Sequence, residues 1–288
     1  MKTHLECIPC FIKQSLEAAR MATDDVIVHE KILKEVMQHL QSVSFEDSPP
    51  QLSREVHAII RSKSKTDDPY KQVKDESNTM AKNLYPHLKS LVERSDDPLL
   101  MAIKLSIIGN VIDFGTTTRF DVKDMIDKAM TDEFNDEAYD AFKKRLASST
   151  TILYLADNTG EIFFDKLLIE EIKKMHKDIT FVVKTNPIIN DALRDDAVFA
   201  HIDKYATLLE GDFGQSKSTP GILLQYASTE FLQKFTDADM VISKGQGNYE
   251  SLNDSKREIF FLLMVKCPLV ADDMDRTVGE MVFKVNTV

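Results

Sequence analysis

The sequence predicts an α/β protein, with a helical N-terminal domain followed by a doubly wound, mainly parallel, Rossmann-like sheet. Two observations carry this. From the start to about Leu146, apolar residues recur at helical spacing and no convincing strand appears. After Thr150, short apolar runs that end in polar or glycine residues alternate with helical patterns, the signature of parallel winding. The expected division is residues 1–147 for the helical domain and 148–288 for the α/β domain, with the boundary inside Arg145–Thr150.

In chain order, Cys7-Ile8-Pro9-Cys10 opens a helix that runs past Arg20. A structural zinc site takes four ligands, and Cys267 is the only other thiol, so the pair reads first as small hydrophobes. His4 is an available but not a required ligand. Ile27 to Leu40 follows with apolar residues at helical spacing, then a break at Ser48-Pro49-Pro50 and a helix over Gln51 to Arg61. Asp67-Asp68-Pro69-Tyr70 is a cap with proline at the first helical position. The helix after it carries Lys71, Lys74, Asn78 and Lys82 on a face expected to be solvated, and is expected to stop near Pro86. Ser95-Asp96-Asp97-Pro98 repeats the signal before Leu99 to Ile108. Asn110 and Asp113 then stand three apart between two glycines, on one side of a helical turn. They are either a satisfied helix end or a ligand-facing pair.

The expected strands are Thr151–Ala156, Thr180–Lys184, Tyr205–Leu209, Met240–Ser243 and roughly Leu269–Ala271. The first ends in Asp157-Asn158-Thr159-Gly160-Glu161, where Gly160 permits a tight turn into a helix. Ligands of open α/β sheets bind beyond the carboxyl ends of the strands. A carboxylate and a carboxamide delivered there suit a hard cation, although an Asp cap beside a turn Asn is the plain alternative. The other strand ends bring Lys184 with Asn190 and Asp191 beyond it, Glu210-Gly211-Asp212, and Lys244-Gly245-Gln246-Gly247-Asn248 to the same edge. Two carboxylates and an amide would hold a divalent ion with open positions, and nearby lysines would suit a phosphate.

Composition narrows the function classes. No apolar run approaches the roughly 18 to 20 residues of a membrane span, and the N-terminus has no signal-peptide core. Three cysteines are too few for a disulfide framework, so a reducing, cytoplasmic setting and no membrane partner are expected. The net charge of −11 argues against nucleic acid as a partner, while a small phosphorylated molecule can still be drawn in locally. Gly245-Gln246-Gly247 is not a dinucleotide fingerprint, because Glu250 stands where the third glycine belongs. Asp273-Met274-Asp275-Arg276-Thr277 spells an aspartate-nucleophile phosphatase motif, but too little chain follows to supply its later residues.

Taken together and in order, several stretches resemble the metal-dependent damage-control phosphatases, also known as domain of unknown function 89. They are Glu6-Cys7-Ile8-Pro9-Cys10, Asp68-Pro69-Tyr70, Gly109 to Asp113, Asp157 to Glu161, Asn186 to Ala192 and Lys244 to Leu252. The Cys-x-x-Cys is similar to that of the mainly prokaryotic branch. The resemblance implies a helical domain packed on an α/β domain, and a divalent metal (Mn, Co, Ni or Mg) held by Asp157, Asn158 and Asp191. It implies a phosphate held by Lys244, with Asn110 and Asp113 brought in from the helical part and Thr159, Gly160, Glu161 and Gly245 around the substrate.

The expected function is metal-dependent hydrolysis of a small phosphorylated metabolite, such as a sugar phosphate or a damaged metabolite, with Asp157, Asp191 and Lys244 as catalytic residues. The alternatives are a non-catalytic phosphometabolite-binding protein using the same crevice, and a thiol or zinc protein centred on Cys7 and Cys10. A carboxyl methyltransferase, discussed for relatives of this family, finds no glycine-rich cofactor loop here.

Overall fold

The computed structural model describes residues 1–110, 126, 136–212 and 217–286. Three helices come first: α1 (Cys7–Ala22), α2 (Val26–Leu40) and α3 (Pro49–Ser64). The Asp25 side chain caps α2 by accepting from Ile27 N, and paired prolines open α3, where a missing N–H costs nothing. Their apolar stripes meet in a cluster of Phe11, Ala18, Ile32, Val36, Val56 and Ile60.

Helices α4 (Lys71–Arg94), α5 (Pro98–Gly109) and α6 (Asp136–Ser148) belong to another core. Leu88, Ile103 and Phe142 pack with Ile152, Tyr154 and Phe164 of the α/β part. Helix α6 ends at Ser148 and the first strand begins at Thr151, and this core runs straight through the change. Helix α4 does not stop near Pro86, which lies inside it. Proline removes one N–H, and the buried stripe of Leu84, Leu88 and Val92 continues past it against the sheet layer. The face of α4 expected to be solvated is partly buried, since Lys74 is 1% and Asn78 4% exposed.

Among the described residues the sheet has six strands: β1 (Thr151–Leu155), β2 (Asp178–Val183), β3 (Thr207–Glu210), β4 (Met240–Lys244), β5 (Phe260–Met264) and β6 (Met281–Val285). Their order is β3-β2-β1-β4-β5-β6; the first five run parallel and β6 runs antiparallel to β5. Side chains alternate across β1. Ile152 and Tyr154 face the core shared by α4, α5, α6, α7 (Glu161–Lys174) and α8 (Arg194–Phe199), while Leu153 and Leu155 face α9 (Thr229–Asp237) and α11 (Pro268–Met274). Winding reverses between the neighbours β1 and β4, which creates the crevice that such sheets use for ligands.

The strand expected at Leu269–Ala271 is instead part of α11, because Pro268 occupies a first helical position. The true fifth strand, Phe260–Met264, is a continuous apolar run buried on both faces. No described helix is long and apolar enough to cross a membrane.

Candidate functional site

The site forms where β1 ends. Backbone pairing joins two distant loops: Ala192 N donates to Asp157 O at 2.8 Å and Thr159 N to Asn190 O at 2.9 Å, with Asn158 and Asp191 paired as an antiparallel bridge. The 157–158 corner and Asp191 therefore lie side by side. The Thr159 hydroxyl reinforces the join by donating to Asn190 O.

Asn110, at the end of α5, donates from Nδ2 to Asp157 Oδ2 at 2.8 Å and to Glu161 Oε2 at 2.9 Å, and its Oδ1 accepts from Met264 N. Asn158 Nδ2 donates to the same two carboxylates at 2.7 and 3.1 Å. With both amide hydrogens directed inward, the Asn158 carbonyl oxygen is left for the opposite side. Gly245 begins the short helix α10 (Gln246–Leu252) at φ +79°, and a Cβ there would overlap the Asp157 carboxylate. Only glycine combines that φ with that closeness.

Beneath the corner lies Lys244, fully buried. Its Nζ donates to Ser106 O at 2.8 Å, Glu161 Oε1 at 2.5 Å and Asp165 Oδ1 at 2.7 Å. An ammonium has three hydrogens, and all are used. Burial would raise the Glu161 carboxyl, but the charge and hydrogen bond of Lys244 win and hold it below the usual range. Burial would lower Lys244, but Asp165 and Glu161 hold it above its ordinary value. Asp157 has no such partner; burial first, and then the Glu161 charge, push it up to about 6. Asp191 is raised well above the carboxylate range by burial, despite the Lys184 ammonium 3.6 Å from its Oδ1. Neither Lys184 Nζ nor Asp191 Oδ1 has a hydrogen bond.

Two cavities open on the corner. One, of about 420 Å³, is lined by Asp157, Asn158, Asp191 and residues of α1, α3 and α11; the other, of about 370 Å³, includes Asn110, Asn158, Tyr70 and Lys266. A larger cavity of about 790 Å³ lies at the opposite ends of the strands, beside Thr151, Asp178 and Thr207, away from these groups.

The expected site residues thus separate. Asp157, Asn158 and Asp191 come together at a cavity. Among the described residues no three His, Cys, Asp or Glu side chains form a metal cluster; this corner has two carboxylates and an amide. Magnesium-like ions characteristically take one or two carboxylates and complete their shell with water and phosphate oxygens, so the donor set fits a hard dication. Asp191 Oδ1, which has no hydrogen bond, is an acceptor that such an ion would satisfy.

Lys244, expected to hold phosphate, lies under the corner with its donors spent. Glu161 is likewise fully buried in that ion pair, and Thr159 and Gly160 are buried in the turn, with Gly160 N donating to Asn78 Oδ1. These residues and Gly245 shape the corner from behind, while Asn110 lines the smaller cavity. Asp113 lies outside the described residues.

Sequence reasoning missed three participants. Lys266 is an exposed cation lining both cavities, and it follows the strand that was not recognised. Asp165 is four residues after Glu161 on a helix buried almost all round, a spacing that places both acids on one face. Asn78 ties α4 to Gly160 and to Asp196, and nothing in its local pattern reveals it.

Comparison with known proteins adds the identity of the fold. A crystal structure of a DUF89 family protein from Pyrococcus horikoshii superposes with a TM-score of 0.91 at 30% identity, covering 100% of both chains. A protein of Archaeoglobus fulgidus named damage-control phosphatase is 34% identical over 99% of this chain and 99% of its own length. An uncharacterized protein of Methanocaldococcus jannaschii is 35% identical over 98% of this chain and 95% of its own. A family model described as the damage-control phosphatase ARMT1-like domain matches residues 3–282. The chain belongs to that family, and the resemblance read from its scattered motifs holds along nearly its whole length.

Proposed function

We propose that the protein is a divalent-metal-dependent phosphomonoester hydrolase acting on a small phosphorylated metabolite. Membership of a phosphatase family supports the general role. The observation that carries the finer reading is the backbone bridge that sets Asp191 beside Asp157 and Asn158 at a cavity with a free lysine rim.

Asp157, Asn158 and Asp191 would hold the ion, which supplies Lewis-acid polarisation of a phosphoryl oxygen and a more acidic bound water. The chain's own groups do the rest. Asp157 and Asp191, the two carboxylates of the corner, are the groups placed to accept a proton from an attacking water. Lys266, exposed at the cavity wall, replaces Lys244 as the cation placed to offset charge on phosphoryl oxygens. Lys244 and Glu161 act through Asn158, which they keep turned with its carbonyl oxygen outward.

Purified protein assayed on a generic phosphate ester with Mn²⁺, Co²⁺, Ni²⁺ or Mg²⁺ is expected to turn over, to stop on chelation, and to lose activity in Asp157→Ala. Activity that survives both chelation and that substitution would overturn the proposal. Tight binding of phosphate esters without turnover under every metal would favour a binding protein.

A further inference from the structure

Building on that hydrolase reading, we propose that the 420 Å³ cavity takes the organic part of the substrate, and that this part is a hydrocarbon or aromatic group rather than a polyol. The cavity begins at the Asp157–Asn158–Asp191 corner and ends on carbon: Phe11 of α1, Pro49 of α3, Ile189, Pro220 and Leu269 of α11. Cys7, Cys10 and Cys267 complete the wall from two sides. Burial raises all three thiols above their ordinary pKa, so they present neutral, polarisable sulfur.

Part of the polar wall is already engaged. Gln246 Nε2 donates to Glu250 Oε1 and Cys267 Sγ, while its Oε1 accepts from Lys266 N. Gln14 Oε1 pairs with His57 Nε2. Ser53 Oγ is buried without a hydrogen bond, and with Glu6, Asn190 and Lys266 it makes up the minor, polar part of a lining that is mostly carbon and sulfur. A sugar seated here would give up water and gain few replacements. Ile189 adds an independent sign. It is a β-branched residue held at φ +44°, a backbone conformation such side chains rarely adopt. Its side chain packs against the α1–α3 cluster and so keeps an apolar surface beside Asp191.

The test measures binding with no turnover required. Methyl-, butyl- and hexylphosphonate are titrated calorimetrically into the Mn²⁺-loaded protein, beside a trihydroxybutylphosphonate. Kd is expected to fall about threefold per added methylene, with a negative heat-capacity change, and the hydroxylated probe to bind no tighter than methylphosphonate. Ile189→Asn, whose side chain tolerates the left-handed backbone, and Leu269→Ser are each expected to flatten the series. A flat series in the unsubstituted protein, or tighter binding of the hydroxylated probe, overturns the inference. Absence of ester hydrolysis would sink the hydrolase proposal while the phosphonate series still decides this one.

Discussion

Lys244 shows how a residue at the expected place takes an unexpected role. It closes β4 at the correct edge of the sheet, as its position in the sequence suggests, yet its ammonium points into the core between Glu161 and Asp165. No local pattern distinguishes an ammonium that meets a ligand from one that balances two acids behind it. The distinction depends on α5, whose Ser106 carbonyl supplies the third acceptor from far along the chain. Removing one partner of a buried ion pair leaves the others uncompensated. Lys244→Met is therefore expected to lower stability by about 3–5 kcal/mol in urea unfolding, and Lys244→Met with Glu161→Gln to recover part of the loss.

At the scale of elements, strand β1 and its exit were legible because the local rule was simple: an apolar run followed by Asp, Asn and Gly. β5 was not, since an unbroken apolar run carries no period by which to tell a strand from a buried helix. Missing β5 hid Lys266 as well. Helix α4 was cut short by giving Pro86 more weight than the stripe continuing beyond it. These helices also decide what folds alone. Because α4, α5 and α6 share a core with β1 and α7, residues 148–286 expressed by themselves would expose that whole face. That fragment is expected to lack near-ultraviolet circular dichroism and to bind a hydrophobic dye, whereas a chain beginning near Thr66, which keeps α4 to α6, is expected to unfold cooperatively.

For the whole molecule, the relevant quantity is an excess of buried negative charge at one corner. Burial, helped by Glu161, lifts Asp157 to about 6, and burial lifts Asp165 to the same value. An unfolded carboxyl titrates near about 4, so between about 4 and about 6 the folded chain holds more protons than the unfolded one. Stability from these groups is then highest below that window and falls as pH rises through it. Asp157→Asn removes one of the charges. It is expected to raise the Tm of the metal-free protein at pH 7.5 more than at pH 4.5, as read by scanning calorimetry. In the unsubstituted chain, Mn²⁺ is expected to raise Tm more at pH 7.5 than at pH 4.5, and Asp157→Asn to abolish that increment.

The hydrogen-bonded seam between residues 157–159 and 190–192 has a temporal consequence. It cannot close until β1, α7 and β2 have been wound into their crossover, because neither loop has the other as a neighbour before then. A half-made chain leaving the ribosome thus lacks the composite corner. On the hydrolase proposal, metal binding would appear all at once, and its appearance would date the completion of that crossover.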